Sequence, residues 1–292
     1  MTLLTTKILS PSQSDTLLLW GLRFLAAITG AIVVLITFFL VVEALPVLQQ
    51  VGWWSFMSDP AWHPIEGLYN LMPMLWASLL VTFGAVCLAA PLGIGSAIFC
   101  QYYAPPLIAR LYRQLIELLA GIPSVVYGFW GLVVLVPIIN QLQAPGTSLL
   151  AGIAILTLMI LPTIALTAAA SLIEVPPEYF QGAAALGISS WATIRSVMLP
   201  AAKSGLFTGL ILGIGRAIGE TMAVLMVCGN VVQTPTSLFD PVRTLTANIA
   251  LEMAYATGNH RSALFVSGLL LMMAIALLVI IAEGISRRDL YE

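Results

Sequence analysis

The sequence predicts an all-α integral membrane protein with six transmembrane helices and both termini in the cytoplasm. Of its 292 residues, 60% are hydrophobic and 8% are charged, and the mean hydropathy is +1.02. A soluble domain carries about 25% charged residues. The apolar residues also form runs of about 20 or more, the length that a helix needs to cross a bilayer. Lys and Arg fall mainly on one set of the intervening loops, which indicates a fixed orientation.

Six apolar runs are long enough to span a membrane. The first is too long for the core of a signal peptide, and no small-residue cleavage site follows it, so we expect it to remain in the mature protein. The predicted spans are 17–47, 72–102, 117–139, 149–172, 205–228 and 263–285.

The basic residues near the span ends predict the orientation, because cytoplasmic loops carry an excess of Lys and Arg. With the N-terminus inside, Arg243 and Arg261 lie outside, and Arg23 lies at the inner end of the first helix. The reverse orientation would invert a large bias. The remaining basic residues are then cytoplasmic: Lys7, Arg110, Arg113, Arg195, Lys203, Arg287 and Arg288.

The motifs argue against an enzyme. A phosphate-binding loop needs a Lys after Gly to reach the phosphates, and neither lysine, Lys7 or Lys203, follows a Gly. The chain also lacks HExxH, GxSxG and paired carboxylates within a span. Any ATP hydrolysis must therefore occur on another polypeptide.

No metal site and no nucleic-acid partner are expected. The formal net charge is −2, and nothing in the distribution of charge suggests a nucleic-acid surface. The cysteines lie in apolar runs and the histidines are isolated, without the spacing of metal ligands. These residues are Cys87, Cys100, Cys228, His63 and His260.

The fifth predicted span, 205–228, carries two charged residues in its middle, Arg216 and Glu220. An ionised side chain near the centre of a bilayer costs at least ~2.5–3.5 kcal/mol, so such residues usually have a partner or line a path. Their spacing of four allows a pair along one helix. Two interpretations remain open: an ion pair that joins helices, and a lining of a protein seam or watery cavity.

A helical wheel divides this span into two faces. At about 100° per residue, Arg216 and Glu220 share an arc of roughly 80° with three glycines. Small residues allow another helix to approach closely, whereas bulky aliphatic residues suit lipid. The small face contains Gly205, Gly209 and Gly213, and the bulky face contains Phe207, Leu210, Ile211, Ile214, Ile218 and Leu225.

Pro123 interrupts the entry into the third span. A break inside a span is tolerated where protein or a cavity satisfies the freed backbone groups. Ser124, Tyr127, Gly128 and Gly131 near this break could border a polar path. Ordinary tight helix packing is the alternative. The basic stretch before the break, 107–113, is predicted to lie along the inner membrane surface.

The outer segments are informative mainly by their composition. Residues 49–71 contain several aromatic side chains, which favour the interface between membrane and water, so we interpret this stretch as interfacial rather than as a site. A short helix is expected around 244–256. The aromatic and histidine residues of the first segment are Trp53, Trp54, Trp62, His63 and Tyr69.

The inner segment 173–204 predicts a short helix, a turn and another short helix. Pro177 suits a first turn, Gly187 suits a left-handed C-terminal cap, and Pro200 ends the second helix. Small side chains from Gln181 to Ala185 give the first helix a flat surface. Such a surface can press into a groove on a partner protein. A passive connector between spans is the alternative.

This inner segment resembles the conserved motif of the membrane subunits of bacterial ABC importers: EAA, three residues, Gly, nine residues, Ile, one residue, Leu-Pro. Counting back from Pro200 places Val197 at the Ile position, Gly187 at the Gly position and Gln181 at the Glu position. Gly182 stands where the motif has its first Ala. The missing Glu means that a salt bridge from it to an ATPase cannot be transferred to this chain.

Three further stretches are similar to the C-type permease subunit of phosphate-specific ABC importers. The resemblance begins near residue 72 and divides the chain into 1–71 and a type-1 transmembrane domain, 72–292, that contains the coupling segment 173–204. The stretches are GIPSVVYGFWGL (121–132), GRAIGETMAVLMVCGN (215–230) and ANIALEMAYATGNHRSAL (247–264).

The resemblance implies an ABC importer type I permease fold in the bacterial inner membrane. It implies three kinds of partner: a second, A-type permease, two ATPase subunits that bind ATP and Mg²⁺, and a periplasmic phosphate-binding protein. This chain would bind no cofactor. The implied path residues are Arg216, Glu220, Thr221, Ser124 and Tyr127, and the implied coupling residues are Gln181, Gly182, Ala183, Ala184, Gly187 and Pro200.

Within this family we expect Arg216 to contact the anion, because Arg has a permanent charge and a donor fork that matches phosphate oxygens. Glu220 would orient or neutralise Arg216 between transport steps. Three alternatives remain. The permease could carry another oxyanion, such as sulfate or molybdate, the chain could be a secondary transporter driven by an ion gradient, or it could be a scaffold that does not transport.

Overall fold

The computed structural model describes residues 13–288, which form helices and one two-stranded antiparallel hairpin with Trp62 opposite Tyr69. Segments of π-helix, Phe99–Tyr103, Gly131–Leu135 and Ile194–Met198, follow α3, α5 and α9. The elements are α1 Gln13–Val51, α2 Ser55–Ser58, β1 Trp62–His63, β2 Leu68–Tyr69, α3 Met72–Ile98, α4 Pro106–Gly121, α5 Ser124–Trp130, α6 Val136–Leu142, α7 Leu149–Glu174, α8 Pro177–Ala185, α9 Ser190–Thr193, α10 Leu199–Ala201, α11 Lys203–Ile218, α12 Met222–Val227, α13 Leu245–Glu252 and α14 Gly258–Arg288.

Five helical stretches in the described chain are long and apolar enough to cross a membrane, and a bent pair supplies a sixth span. That pair, Ser190–Ala201 and Lys203–Ile218, bends by 72°. The prediction of six spans is confirmed when the bent pair counts as one. Both chain ends lie outside the described residues, so their cytoplasmic location stays a prediction, as does the division at residue 72. The five single spans are Leu18–Val51, Met72–Tyr103, Ser124–Leu142, Leu149–Glu174 and Gly258–Ile281.

The third span begins later than predicted. Residues 117–121 belong to α4, a separate helix, and the chain turns at Ile122 and Pro123 before α5 begins. The cause is the proline: the residue before Pro is driven out of the helical region, and Ile122 has ψ 128°. The predicted surface stretch 107–113 lies within α4.

Helix α7 is the centre of the bundle. It packs most extensively against α3 and then against α11. Its N-terminus is capped by Ser148, whose side chain accepts a hydrogen bond from the Ala151 amide at 3.2 Å. A Cβ atom on Gly93 of α3 would lie 3.0 Å from Ile164 of α7. In lipid, such close van der Waals packing is the main force that holds helices together.

The small face of α11 lies against α7, as its pattern predicts. A Cβ atom on Gly205 would clash with the Ser171 hydroxyl, and one on Gly209 would lie 3.1 Å from Cβ of Thr167. Gly213 approaches α7 in the same way one turn later. The glycine row therefore sets the distance between the two helices and directs the following residues of that face toward α7.

The bulky face of α11 does not face lipid throughout, contrary to the prediction. Ile218 is 3% exposed, and a narrow cleft separates this face from α14. Helix α14 covers the face, and its position cannot be inferred from the wheel of α11. The residues that border the cleft are Ile211, Ile214, Gly215 and Ile218 of α11 and Ile275, Leu278 and Val279 of α14.

Helix α1 lies at the edge of the bundle and packs along α14. Its apolar side chains are exposed over most of its length, including Trp20, Phe24 and Phe38. An exposed apolar surface of this length is what a helix presents to hydrocarbon. Near its far end, Glu43 forms an ion pair with Arg261 of α14 at 3.8 Å.

The outer aromatic segment is folded into the protein rather than spread along the interface. Trp62 and Tyr69 are buried in a cluster with residues of α13 and α14, whereas Trp53 and Trp54 are exposed. The interfacial interpretation is therefore wrong for the hairpin. The expected short helix nearby is α13, and Thr244 caps it by accepting a hydrogen bond from an amide at 3.2 Å.

Candidate functional site

The predicted span 205–228 is broken near its middle. Helix α11 ends at Ile218, Glu220 and Thr221 are not helical, and α12 begins at Met222. Gly219 forms the C-terminal cap of α11. Backbone without helical hydrogen bonds is tolerated at membrane depth only where protein or a water-filled cavity satisfies it. The break is therefore a polar point inside an apolar bundle.

Glu220 holds this break from both sides. Its Oε1 accepts a hydrogen bond from the Ala223 amide at 3.0 Å, in the manner of an N-terminal cap for α12. Its backbone carbonyl accepts a hydrogen bond from the Thr246 hydroxyl at 2.8 Å. Thr221 donates from Oγ1 to the Gly219 carbonyl at 3.3 Å. The break is thus fixed internally and is tied to the first turn of α13.

Arg216 does not pair with Glu220. Among the described residues no ion pair joins the two side chains, and Arg216 donates from Nη1 to the Thr163 hydroxyl of α7 at 3.2 Å. The predicted pair required one continuous helix, and the helix ends between the two residues. A guanidinium has five N–H donors, and the contacts of the described chain use one of them. The half-buried charge of Arg216 therefore has a neutral hydrogen-bond partner, the Thr163 hydroxyl.

Thr163 was not among the residues that the sequence pointed to. It begins a row of hydroxyl residues on the face of α7 that the glycines of α11 approach. Thr167 and Ser171 in this row donate to the carbonyls four residues earlier, at 2.8 Å each. Such internal bonds are common for hydroxyls in membrane helices, so the row alone is a weak signal for a site. Thr163 differs because its hydroxyl accepts a hydrogen bond from Arg216.

The other predicted path residues lie on α5. Tyr127 is buried, and its hydroxyl donates to the Leu119 carbonyl at the end of α4 at 2.8 Å. It therefore closes the turn between α4 and α5. Ser124 is half-buried at the start of α5, and no hydrogen bond within the described residues joins it to Arg216.

The glycines of α5 and of the π-helical segment after it serve tight packing. A Cβ atom on Gly128 would lie 2.8 Å from the Ala223 backbone, and one on Gly131 would lie 2.7 Å from Ile155. For these two residues the packing interpretation is confirmed. They seat α12 against the third span, so α5, α7, α11 and α12 meet around the break.

Hydroxyl groups also surround the break on the side of α13. A tightly closed seam, too narrow for a water molecule, lies between α3, α7, the break and the start of α13. Ser78 accepts a hydrogen bond from the Leu245 amide at 2.9 Å, and Thr244 and Thr246 contact each other at 3.1 Å. These side chains link the outer loop to the break, and no sequence motif marks them.

The coupling segment has the predicted helix, turn and helix. Gly187 has φ +74°, and the amide of Ile188 donates to the Ala183 carbonyl at 3.1 Å, which makes a Schellman cap. Gln181, Gly182, Ala184, Gly187 and Pro200 are exposed.

One detail of the coupling segment differs from the prediction. Ala183 is buried, and α8 packs against α9 and the segment Ile194–Met198. Phe180 stacks on Tyr102 with 5.4 Å between the ring centres. The helix that contains Pro200 ends at Ala201, close to the predicted end. The exposed surface of α8 is thus fixed to the first turn beyond α3.

A family model described as "Binding-protein-dependent transport system inner membrane component" matches residues 89–290. The chain belongs to this family. It is therefore an ABC importer permease of the inner membrane, with the fold that the resemblance implies.

Several curated proteins are similar to this permease over most of its length. It is 41% identical over 271 residues to "Probable ABC transporter permease protein YqgH" of Bacillus subtilis, covering 90% of this chain and 88% of that protein. It is 34% identical over 251 residues to "Phosphate transport system permease protein PstC" of Mesorhizobium japonicum, covering 78% and 77%. The protein of the same name from Haemophilus influenzae is 32% identical over 274 residues, covering 84% and 87%.

Solved structures share the fold of this permease. A chain of the MetNI methionine ABC transporter in an inward-facing conformation matches with a TM-score of 0.60 at 20% identity, over 78% of this chain and 99% of that one. A chain of a bacterial alginate ABC transporter, in complex with an alginate pentasaccharide-bound periplasmic protein, matches with a TM-score of 0.65 at 13% identity, over 92% and 94%.

The permease has a second polar cluster, which joins the hairpin to α13 and α14. Glu252 is 7% exposed and accepts hydrogen bonds from Nη1 of Arg243 at 2.6 Å and from Nε1 of Trp62 at 2.9 Å. His260 contacts the same carboxylate at 2.8 Å, and Arg243 also bonds Asn248 at 3.1 Å. We call this group the Glu252 cluster. The sequence predicts an isolated His260 and an interfacial Trp62, whereas both side chains contact Glu252.

The Glu252 cluster forms one wall of an open cavity of about 800 Å³ at the end of the bundle opposite the coupling segment. The loop beside it is also fixed by charge. Asp240 accepts hydrogen bonds from the amides of Thr236 and Ser237 and from the Thr236 hydroxyl, which lower the pKa of its carboxyl. This end is therefore a polar platform held together by hydrogen bonds and an ion pair.

Proposed function

We propose that this permease is one of two membrane subunits of an ATP-driven phosphate importer and that Arg216 contacts the transported anion. The names of the PstC relatives support phosphate as the substrate. The observation that carries the proposal is the state of Arg216: it is half-buried at a break in a span and bonded to one neutral hydroxyl.

The chemistry of this position suits an oxyanion. A guanidinium presents parallel N–H donors that match two phosphate oxygens, and its charge is permanent. In the described chain no carboxylate neutralises Arg216. A phosphate that reaches Arg216 would bind a guanidinium whose hydrogen-bond partner in the described chain is the Thr163 hydroxyl. No carboxylate of the described residues would compete with the phosphate for this guanidinium.

Glu220 has a positioning role in this proposal rather than a neutralising one. Its side chain caps α12 and its carbonyl holds Thr246. Instead of neutralising Arg216, Glu220 holds the backbone turn between α11 and α12. This turn sets the distance between α12 and the end of α11 that contains Arg216. Thr221 belongs to the same turn, and Ser124 and Tyr127 stand on the neighbouring helix.

The coupling surface faces the cytoplasm in this proposal and receives an ATPase. Large apolar side chains stand exposed beside the flat part of α8, with Leu186 81% and Trp191 57% exposed. An exposed apolar surface on a polar segment is typical of a protein contact. Movement of α8 would reach α3 through the stack of Phe180 on Tyr102.

The complete importer would contain this chain, an A-type permease, two ATPase subunits and a periplasmic phosphate-binding protein. ATP and Mg²⁺ bind the ATPases, so this chain is not an enzyme and holds no cofactor. ATP binding would bias an equilibrium between inward-open and outward-open states. The binding protein would meet the platform around the Glu252 cluster.

The function is tested by reconstitution. The chain, its partner permease, the ATPase and the binding protein are placed in proteoliposomes, and uptake of radioactive phosphate is measured with and without ATP. We expect uptake that requires ATP and is not reduced by excess sulfate or molybdate. Uptake driven by an ion gradient without ATP, or stronger transport of another oxyanion, would overturn the proposal.

Coupling is tested by Gly182→Trp. A Cβ atom at Gly182 meets nothing within 4 Å, so the fold accommodates the larger residue while the flat surface is lost. We expect the ATPase to dissociate from the permeases during purification and ATP-driven uptake to stop. Gly182→Ala is the matched control and keeps both. Co-purification of the ATPase with the Trp variant would show that α8 is only a connector.

A further inference from the structure

A pocket of about 260 Å³ lies where α4 crosses α7 and the end of α3, at the same end of the bundle as the coupling segment. Its floor consists of small and aliphatic side chains from three helices, among them Ala97, Ile116, Ala165 and Ala169. These floor side chains offer a phosphate group no hydrogen-bond donor and are complementary to a hydrocarbon chain, and the polar side chains that also line the pocket are Ser96, Gln101 and Tyr112 besides the arginines.

The mouth of this pocket is basic. Arg110 and Arg113 both line it, together with Cys100 of the π-helical segment after α3. Arg113 is 3.9 Å from Glu117, but both side chains are more than half exposed, so this pair is weak. Arg110 forms no ion pair with any of the described residues. The mouth thus retains at least one uncompensated positive charge.

The outer face of α4 places this mouth at the membrane interface. Leu107, Leu111, Leu115 and Leu118 follow one another at helical spacing and are 66%, 52%, 57% and 68% exposed. A helix with such a stripe and a basic opposite side lies in the plane of the interface with its apolar face in the hydrocarbon. The arginines then stand at the depth of the lipid headgroups.

We propose that this pocket binds one anionic phospholipid. An acyl chain covers the apolar floor, and the headgroup phosphate accepts hydrogen bonds from Arg110 and Arg113. Charge complementarity favours an anionic lipid over a zwitterionic one, since basic pockets between helices on the cytoplasmic side are suited to anionic headgroups. A free phosphate ion would leave the apolar floor open to water, which makes the lipid the better occupant.

The bound lipid would stabilise the base of the coupling segment. The pocket includes Cys100 and Gln101, the residues immediately before Tyr102, on which Phe180 of α8 stacks. A lipid that joins α3, α4 and α7 here restricts the movement of that stack. The site is independent of the transported anion, so its test and that of the proposed function can fail separately.

The test uses the assembled complex with its partner permease and ATPase, stripped of lipid in detergent. Native mass spectrometry then measures retention of phosphatidylglycerol and of phosphatidylcholine with the same acyl chains. We expect one phosphatidylglycerol per copy of this chain, and weakening by about thirtyfold in the double variant Arg110→Gln, Arg113→Gln. The control Arg195→Gln removes an exposed charge at the same end, outside the pocket, and keeps the lipid.

Two further arms identify what occupies the pocket. Ala169→Phe fills the floor and keeps both arginines, and we expect it to release phosphatidylglycerol, whereas added inorganic phosphate at millimolar concentration does not. If a variant fails to assemble, the wild-type complex alone decides: phosphatidylglycerol must raise its melting temperature more than phosphatidylcholine. Equal retention of the two lipids, unchanged retention in the double variant, or displacement by inorganic phosphate would each overturn the proposal.

Discussion

Two half-buried arginines of this permease have opposite surroundings. Arg243 donates to the Asn230 carbonyl at 2.9 Å and to Asn248, and it forms an ion pair with Glu252 at 2.6 Å. Arg216 has one hydrogen bond, to the neutral hydroxyl of a threonine. The protein pairs the charge of the first arginine and accepts three hydrogen bonds from it, whereas the second keeps an unpaired charge and four unused donors.

The difference separates a structural arginine from one that serves a ligand. A buried ion pair with good geometry holds its elements in place, and removal of one partner leaves an unpaired charge. A guanidinium with a neutral partner lacks that compensation, and an anion can supply it. We therefore assign Arg243 to the stability of the outer platform and Arg216 to the transport path.

The largest effect on transport is expected at Arg216. Arg216→Gln removes the charge and the donor fork, and we expect ATP-driven phosphate uptake to fall by about a hundredfold or more. Because Arg216 bonds only one hydroxyl, assembly and melting temperature should stay close to wild type. Arg216→Lys, which keeps the charge without the fork, should retain part of the uptake. Normal uptake by the Gln variant would refute the role.

The converse result is expected for Arg243→Gln. This change removes the arginine partner of the buried Glu252 and leaves it with Trp62 and His260, and we expect the free energy of unfolding to fall by about 3 kcal/mol. The melting temperature and the yield of the complex measure the loss. Uptake per assembled complex should remain near wild type. Lost uptake with unchanged stability would contradict the assignment of Arg243 to stability, because Arg243 would then also bind the anion.

Variants of Glu220 test whether its charge is paired with that of Arg216. Glu220→Gln keeps an oxygen that can accept from the Ala223 amide, so uptake should stay within about threefold of wild type, whereas Glu220→Ala removes the cap at a cost of about 1 kcal/mol. Uptake rates of the two variants are compared in the same assembled complex. An equal, severe loss in both would mean that the charge of Glu220 matters, in support of the pairing that the sequence suggested.

The smallest effect is expected at Thr163. Thr163→Val removes the hydroxyl that receives Arg216 while keeping the shape, so the guanidinium loses its position. We expect the concentration of loaded binding protein needed for half-maximal uptake to rise about fivefold, with little change in the maximal rate. Thr163→Ser should restore it. A fall in the maximal rate alone, or no rescue by Ser, would indicate a packing role instead.

Much of this fold is predictable because its signals are local and periodic. The six spans follow from long apolar runs, and the approach of α11 to α7 follows from glycines at a spacing of four. The cap at Gly187 follows from a glycine between two short helical patterns. In each case the residues that produce the feature lie in one continuous stretch of the chain.

The features that could not be predicted depend on residues far apart in the chain. The break near Glu220 is held by Thr246, 26 residues later, and an Arg and a Glu at a spacing of four fit an unbroken helix equally well. Trp62 and Glu252 are separated by 190 residues. Ala183 is buried where α8 packs against α9 and the segment Ile194–Met198, which the pattern of α8 alone does not indicate.

The most direct measurement is a structure of the assembled importer trapped with phosphate, by use of an ATPase that binds but does not hydrolyse ATP. We expect phosphate oxygens at about 3 Å from the guanidinium nitrogens of Arg216, with Arg243 still bonded to Glu252. A phosphate bound elsewhere along the path, with Arg216 still bonded to Thr163 alone, would contradict it.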